Sequence, residues 1–189
     1  MRKLACIFSI ISMSCLAQDG LTAYTHDYEF TEGVFLTADQ FKQNNPLSKL
    51  SIISSVPKNE IDFIKEAAEQ KYFTYKDSSG KEQKVESAAL WGYSQNRSVY
   101  INFNKTFNRL NVIGTLCHFT AVIRTSVGFF DPMTVGGMGN TVDELRQFLF
   151  DTKTTKIYDF NSKNMEMLLK NDPGLYTAFM AMSKRKKDD

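Results

Sequence analysis

Residues 90–123 constrain the fold of this 189-residue chain more than any other stretch. They hold the only tryptophan, Trp91, and a dense run of β-branched and aromatic residues interrupted by the polar steps Asn-Arg and Asn-Lys. Within them, Ser98–Phe103 alternates, with Val99, Ile101 and Phe103 on one face and Tyr100 and Asn102 on the other. This period of two, bounded by turn-forming residues, predicts strands of an antiparallel meander with one face on a core and one in solvent.

The same alternation continues towards the C-terminus. Leu110 and Val112 are predicted to share the buried face of one strand, and Gly114 a bulge or bend. On the next strand one face carries Cys117, Phe119, Ala121 and Ile123, with His118 and Thr120 opposite. Residues 124–142 break the pattern with four glycines and a proline, which predicts an excursion or a long hairpin loop.

Short helices are predicted on both sides of the meander. Thr37 followed by Gln40 has the spacing of a capping box at a helix start. Residues 59–70 carry an apolar stripe of Ile61, Ile64 and Ala68, which indicates a helix, after a predicted strand over residues 50–56. Two C-terminal helices are predicted, the first capped by Asn161 or Ser162 and the second opened by Asp172-Pro173.

These elements predict the α+β class: a mainly antiparallel sheet (a meander) with short helices near the N-terminal and C-terminal ends. The predicted organisation is a signal peptide at residues 1–17 and a flexible segment at 18–30. A single α+β domain follows at 31–182, and a charged tail at 183–189 ends the chain. No alternation of strands with helices suggests a parallel sheet.

Residues 1–17 have the features of a secretory signal peptide. Two basic residues precede an uncharged, mostly apolar run of 13 residues, and small residues precede the predicted cleavage between Ala17 and Gln18. That run is shorter than the roughly 20 apolar residues of a membrane-spanning helix. The sequence therefore predicts export to the periplasm or the medium, without a transmembrane segment after signal removal. Lipid anchoring through Cys15 is the alternative, because Ser14 fits the lipoprotein pattern although Ser12 does not.

The charge balance argues against a nucleic-acid partner. The chain has 23 basic and 21 acidic residues, and removal of residues 1–17 takes away two basic residues and no acidic one. A formally neutral protein lacks the basic footprint that binds nucleic acid. The same cleavage leaves Cys117 as the single cysteine, so no internal disulfide is expected and stability must come from packing.

Three segments, GVFLTADQFKQNNP, LWGYSQNRSVYINFN and KIYDFNSKNMEMLLKNDPGLYTAFMAMSKRKK, resemble a group of uncharacterised exported proteins of Bacteroidetes-type bacteria. The shared features are a Gly-Val-aromatic-Leu-Thr opening before a short helix, a strand pair and an Asp-Pro helix that runs into a lysine-rich end. The resemblance spans most of the chain after residue 17 and consists of packing motifs. It implies an exported location and assigns no activity or site residue.

No catalytic, cofactor or metal motif stands out in the sequence. Cys117 and His118 are adjacent on a strand, so their side chains point to opposite faces and do not form a nucleophile-base pair. Only His26 and His118 are available as histidine ligands, and no ligand spacing recurs, so neither a metal nor a cofactor is predicted. The glycine-rich residues 136–139 lack the Lys and Ser/Thr of a phosphate-binding loop.

The residues most suggestive of a contact surface lie between residues 127 and 140. Four large apolar side chains, Phe129, Phe130, Met133 and Met138, accompany the glycines there, and they either pack on the sheet or contact a partner. The favoured function is a non-catalytic exported envelope or secreted accessory domain that binds an envelope protein, a glycan or a lipid. The alternative is an envelope hydrolase that uses dispersed carboxylates without a recognisable motif.

Overall fold

A computed structural model of the chain describes residues 28–127 and 140–183. The strands in these residues are β1 (Gly33–Phe35), β2 (Ile52–Ile53), β3 (Tyr72–Lys76), β4 (Glu82–Glu86), β5 (Gly92–Gln95), β6 (Ser98–Phe103), β7 (Thr106–Val112), β8 (Leu116–Val127), β9 (Asn140–Asp151) and β10 (Lys156–Asp159). The helices are α1 (Ala38–Lys42), α2 (Phe63–Ala68), α3 (Ser162–Leu169) and α4 (Pro173–Ala181), with 3-10 turns at Lys49–Ser51 and Ser87–Ala89.

The strands of the described residues form two antiparallel sheets. The larger sheet has the order β1-β5-β6-β7-β8-β9-β10, and the smaller one the order β2-β3-β4. Strands β5 to β10 follow one another in sequence and in space, which is a meander, and β1 pairs with β5 at one edge. The two longest helices, α3 and α4, follow the last strand. The predicted α+β class with a mainly antiparallel sheet is confirmed.

Two tight turns set the register of the meander. The Asn-Arg and Asn-Lys steps connect β5 to β6 and β6 to β7 as two-residue loops. All four residues have positive φ, the condition for the type I′ turn whose twist matches that of the flanking strands; they are Asn96 (51°), Arg97 (58°), Asn104 (53°) and Lys105 (65°). Asparagine tolerates this left-handed conformation better than most residues. These turns place Val99 and Ile101 on a common face, as the alternation predicts.

The large sheet curls around the first of two cores. The Trp91 ring, next to β5, lies 5.6 Å from the ring of Phe150 on β9, and Phe41 of α1 lies 6.2 Å from the same ring. Strands β5 and β9 are four steps apart in the sheet, which is roughly 19 Å on a flat surface. The sheet must therefore bend. The inner face, defined as the face towards this core, carries Phe35, Val99, Ile101, Leu110, Cys117, Phe119, Ala121, Phe148 and Phe150.

The outer face of β1, β5, β6 and β7 is covered as well. Tyr93 stacks on Tyr100 with the ring centroids 4.7 Å apart, and Phe107 meets Tyr93 edge-on at 5.1 Å. Helix α2 and the small sheet close this second core with Ile52, Phe63, Ile64, Ala67, Ala68 and Phe73. The predicted solvent face of β6 was therefore wrong: Tyr100 packs in the second core, and Asn102 donates from Nδ2 to the Ser87 carbonyl at 3.0 Å.

A bulge corrects the predicted position of Val112. Leu110 pairs with Phe119 and Val112 pairs with His118, so a step of two residues along β7 corresponds to a step of one residue along β8. Because paired residues share a face, Val112 lies with His118 on the outer face and is more than half exposed. The sequence alternation assigned Val112 to the core because a strict period of two does not allow for the extra residue of a bulge. The prediction of a bulge or bend at Gly114 is confirmed, because residues 114–115 form a bend, and the bulge itself lies a few residues earlier.

The N-terminal elements agree with the sequence at the first helix and differ afterwards. Thr37 Oγ1 accepts from the Gln40 backbone N–H at 3.3 Å, and Gln40 Oε1 accepts from the N–H of Leu36 at 2.6 Å, so the capping arrangement forms. The predicted strand at 50–56 contracts to the two residues of β2, because a 3-10 turn occupies the chain up to residue 51. The predicted helix at 59–70 contracts to α2, which leaves Ile61 80% exposed.

At the C-terminal end, the strands are longer than the sequence predicts. The expected excursion over residues 124–142 is shortened, because β8 continues to residue 127 and β9 begins at residue 140. Asn161 Oδ1 accepts from the Asn164 N–H at 2.9 Å and starts α3, as predicted. Asp172 Oδ1 accepts from the Leu175 N–H at 3.0 Å, and Pro173 takes the first position of α4, also as predicted.

Candidate functional site

The site residues predicted from sequence lie outside the described residues. These are Ala17 and Gln18 at the predicted cleavage, and Phe129, Phe130, Met133 and Met138 between β8 and β9. The same holds for Cys15, for His26 and for the glycines at 136–139. The structure describes the two strands that lead to and from residues 128–139, and the candidate site is built from them.

Cys117 and His118 are held apart by the strand. Cys117 is fully buried on the inner face, where its Sγ donates to the Gly114 carbonyl at 3.4 Å. Burial raises the pKa of the thiol from 9.0 to about 11, so the group is a neutral packing residue at neutral pH. His118 lies on the outer face, where its Nε2 is 2.9 Å from Gln147 Oε1 and its ring 5.3 Å from that of Phe160. The strand geometry excludes a Cys–His pair, as predicted.

Trp91 and Tyr93 belong to the two cores. Trp91 stacks on Phe41 with centroids 4.3 Å apart, and Tyr93 is buried against Tyr100. Burial raises the pKa of the Tyr93 hydroxyl well above its usual value. Neither residue lines the groove, the cleft or the pocket that the described residues form, and the packing role predicted for aromatics on a central strand is confirmed.

The carboxyl groups with shifted pKa values are held in the ionised form. Hydrogen bonds from Ser79 and Gln83 lower the pKa of Asp77 to about 2, and this half-buried residue closes the turn between β3 and β4. A hydrogen bond from Arg124 lowers the pKa of Asp143. A general acid at neutral pH needs the opposite shift. Among the residues the structure describes, no group of three or more His, Cys, Asp or Glu is placed to hold a metal ion.

The outer part of the β8–β9 hairpin extends beyond the rest of the sheet. The two strands stay in register from Leu116–Asp151 to Val127–Asn140. On one side β7 pairs with β8 only at His118 and Phe119, and on the other β10 pairs with β9 only over residues 148–151. Residues 120–127 and 140–147, here called the distal hairpin, therefore have no strand neighbour among the described residues apart from each other. Only at its base does the Gln147 carbonyl accept from the N–H of Phe160, just after β10, at 2.9 Å. Two-stranded ribbons of this kind are marginally stable alone.

The distal hairpin exposes apolar side chains on both faces. Val122 pairs with Leu145 on the outer face, where Leu145 is 70% exposed, and Val142 is half exposed on the inner face. Beside them, Arg124 Nε donates to Asp143 Oδ1 at 2.8 Å in an exposed ion pair. The combination of open strand edges and exposed apolar side chains is one that monomeric proteins normally avoid.

A groove of about 500 Å³ runs along the open edge of β8. One wall is the turn and start of β7, and the other is the distal hairpin; the lining residues are Asn104, Thr106, Asn108, Val122, Ile123, Arg124 and Asp143. The groove begins where the pairing of β7 with β8 ends. Its position gives an extended ligand access to the edge of β8 that pairs with no other strand within residues 28–127 and 140–183.

Two further cavities lie elsewhere. A cleft of about 610 Å³ separates the β9–β10 turn from α3 and α4, and its apolar lining is supplied by Leu116, Met167, Leu168, Leu169 and Leu175. A pocket of about 490 Å³ lies where the C-terminal end of α2, the end of β4 and the β6–β7 turn meet. No sequence motif marks either one, because each is lined by residues that are distant in the chain.

The comparisons with known proteins place the chain in a family without assigning an activity. A model described as a family of unknown function, DUF6563, matches residues 33–189. No curated protein and no solved structure matches the chain. In the part of the chain that the structure describes, no helix is long and apolar enough to cross a membrane. The family match covers every sheet and helix given above for the described residues, and by it the chain belongs to DUF6563, a family of unknown function.

Proposed function

We propose that this protein is a non-catalytic binding module that recruits a protein partner through the distal hairpin. The observation that carries the proposal is the extension of β8 and β9 beyond both of their neighbours, which leaves two long edges that no other described strand pairs. The other edge strands of the described sheets, β1, β2, β4 and β10, have two to five residues each. Short edges resist unwanted pairing, whereas a long edge accepts a partner strand.

Strand addition explains why the open edge and the groove occur together. A partner segment in extended conformation can hydrogen-bond to the free backbone groups of β8, and the groove gives room for alternate side chains of that segment. The exposed Val122 and Leu145 supply apolar contact area next to the edge. We further propose that Phe129, Phe130, Met133 and Met138, which the sequence places between the two strands, extend the same contact surface.

We also propose that the module acts outside the cytoplasm. The support is the charged start, the short apolar run and the small residues before Gln18. Intact-mass measurement of the protein from the envelope fraction or medium should show Gln18 as the first residue, cyclised or not. A diacylated Cys15, or a retained Met1, would contradict this assignment.

Site-specific photo-cross-linking in the producing cell tests the contact surface. A photoreactive amino acid replaces Leu145 on the distal hairpin in one variant and Leu50, which is 83% exposed on a 3-10 turn, in the matched control. We expect a discrete adduct from position 145 and none from position 50. Adducts of equal yield at both positions, or none at position 145, would overturn the proposal.

A second variant tests whether the adduct at position 145 depends on the apolar surface of the distal hairpin. Val122→Asp places a charge beside position 145 on an exposed face, so the fold should tolerate it. We expect the adduct at position 145 to disappear while the melting temperature stays unchanged. An adduct with the mass of two copies of this chain would identify self-association instead of a separate partner.

A further inference from the structure

Helix α4 is exposed over most of its surface although it carries no charge. Of its nine residues, Phe179 is buried and Tyr176 is half-buried, and the other seven are exposed. No charged residue lies between Asp172 and Lys184 in the sequence. A surface helix normally carries charged residues on its solvent side, and a helix that is uncharged all round is expected where water is excluded. Helix α4 therefore needs a cover that the described residues do not supply.

The hydroxyl on the exposed side of α4 is satisfied within the helix itself. Thr177 Oγ1 donates to the Pro173 carbonyl at 2.7 Å, the bond to the residue four positions earlier that serine and threonine form in helices. Moving a hydroxyl into an apolar medium is costly when its hydrogen bond is lost. Thr177 keeps its bond wherever the helix lies, so the exposed side of α4 can enter an apolar medium without this cost.

The apolar surface continues from α4 to α3. Leu175 of α4 is 57% exposed and Met167 of α3 is 44% exposed, and both line the cleft of about 610 Å³ beside the β9–β10 turn. Met182, the residue that follows α4, is 46% exposed. Neighbouring exposed side chains of this size mark a surface that contacts a protein or a membrane.

Four basic residues follow this surface directly. Residues 184–187 are Lys-Arg-Lys-Lys, and the two aspartates at 188–189 reduce the excess of positive charge to two. The four charged residues within 161–172 cancel, so the excess lies after α4. Lys184 is three residues beyond Ala181, where α4 ends, so chain length alone keeps it within about 11 Å of the helix end.

The exposed apolar helix and the basic residues beside it together select the occupant. A groove on a partner protein covers one stripe of a helix, with anchoring side chains three or four residues apart. Helix α4 is instead uncharged around its whole exposed circumference. The outer acyl region of a bilayer contacts such a helix on every exposed side, and anionic headgroups attract lysine and arginine next to it. Nucleic acid would match the charge but offers no apolar medium for the helix.

We propose that α4 and the basic residues 184–187 dock the protein on the surface of an anionic phospholipid bilayer. Leu175 and Met182 enter the outer acyl region, and the basic side chains contact headgroup phosphates. The nine residues of α4 span about 14 Å, less than the roughly 30 Å of the hydrocarbon core, so the helix lies in the interface and does not cross it. The inference does not depend on the partner proposed for the distal hairpin, which is a separate surface.

Tryptophan quenching by lipid locates the contact. In the full chain, Met182→Trp places a tryptophan beside α4, and Leu50→Trp places one on the exposed 3-10 turn Lys49–Ser51 as the matched control. Trp91, half-buried in the first core, gives both variants the same background. The vesicles contain phosphatidylcholine and phosphatidylglycerol with brominated acyl chains, which quench tryptophan on contact.

We expect quenching at position 182 and, at position 50, only the signal of the parent chain. The apolar run in residues 1–17 is present in both variants, so binding through it does not separate them. Equal quenching at the two positions, or none at position 182, would overturn the proposal.

A matched pair of charge variants tests the basic residues. In the Met182→Trp chain, one variant replaces the four basic residues at 184–187 by glutamine. The control replaces four exposed lysines on α2, the β3–β4 turn and the β6–β7 turn; they are Lys65, Lys76, Lys81 and Lys105. Both variants lose the same charge. A basic residue near an anionic surface strengthens binding about fivefold, so we expect the first variant to lose at least about tenfold in vesicle affinity and the control far less. Equal losses would assign the binding to net charge alone and overturn the proposal.

The apolar contact has its own pair of variants. Leu175→Asp puts a carboxylate into the first turn of α4, where the helix dipole favours it, so the fold should keep its melting temperature. Ile61→Asp is the control, at a position that is 80% exposed before α2. We expect quenching at position 182 to disappear with Leu175→Asp and to persist with Ile61→Asp. Full quenching with Leu175→Asp would overturn the proposal. A dimer in vesicle-free buffer that Leu175→Asp converts to a monomer, without quenching at position 182, would make a second copy the occupant and overturn it as well.

Discussion

The two halves of the β8–β9 hairpin share one backbone ladder and differ in almost everything else. In the inner half, residues 116–119 pair with residues 148–151, and most of these side chains are buried between the neighbouring strands and the cores. In the distal hairpin most side chains are exposed, although the register of hydrogen-bonded pairs continues without a break. The contrast lies in the surroundings: β7 and β10 flank the inner half only.

This difference separates backbone pairing from burial as sources of stability. Net stabilisation from a hydrogen bond is small because the unfolded chain bonds to water, whereas burial of a large apolar side chain contributes more. The inner half has both backbone hydrogen bonds and apolar burial, whereas the distal hairpin has mainly backbone hydrogen bonds. Segments with few buried contacts open locally at a low free-energy cost and commonly serve binding.

The largest expected difference in the free energy of unfolding is between truncation of Phe150 in the inner half and truncation of Leu145 in the distal hairpin. Phe150 is 1% exposed and contacts both Trp91 and Phe41, so Phe150→Ala should lower the free energy of unfolding by about 3–5 kcal/mol. Leu145→Ala on the distal hairpin should change it by about 0.5 kcal/mol or less. Urea unfolding of both variants measures this, and similar losses would show that the distal hairpin is packed in solution.

Alkaline pH should lower the free energy of unfolding, because the buried thiol of Cys117 in the inner half ionises more easily in the unfolded chain. The thiol pKa rises from 9.0 in the unfolded chain to about 11 in the fold, so between these values the unfolded chain releases a proton that the folded chain keeps. The contribution of the thiol to the free energy of unfolding is therefore fully present below pH 9. It decreases by about 2 kcal/mol as the pH rises to 11. Urea unfolding at pH 8 and pH 11 should show this decrease in the parent relative to Cys117→Ala. A constant difference between the two proteins would contradict it.

At neutral pH the same substitution should have a smaller effect. Cys117→Ala removes one buried sulfur beside Phe119 and its contact with the Gly114 carbonyl, at a cost of about 1 kcal/mol. In a variant shortened to begin at Gln18, in which Cys117 is the single cysteine, a bulky thiol reagent should react slowly until urea unfolds the protein. Rapid labelling of the folded chain would place the thiol at the surface.

The smallest effect is expected for the ion pair on the distal hairpin. Arg124 and Asp143 are both exposed, and exposed ion pairs contribute little because water and salt screen them. Arg124→Ala should leave the melting temperature at neutral pH unchanged within experimental scatter. The pKa of Asp143 is lowered by this pair, so whatever stabilisation exists is present at neutral pH and is lost as acid protonates the carboxylate. A clear drop in melting temperature would indicate that the distal hairpin is buried in solution.

The sequence predicted the region of one candidate site and missed the pocket at the end of α2. The sequence directed attention to residues 127–140, and the structure shows that the strands on either side form the exposed distal hairpin. The pocket at the end of α2 had no local signal, because its walls come from residues 68–71, 86–88 and 105–107.

The sequence by itself determined the features that depend on near neighbours. The alternation of β6 and β8, the two Asn-initiated turns and the caps at Thr37, Asn161 and Asp172 all follow from a strand period or from side-chain contacts within four residues. Only the tertiary structure decided what covers each face. Tyr100 is half-buried because α2 and the small sheet pack over it, and Val112 is exposed because a bulge changes its register with β8. Both outcomes depend on contacts between distant segments, which the period of a single strand does not encode.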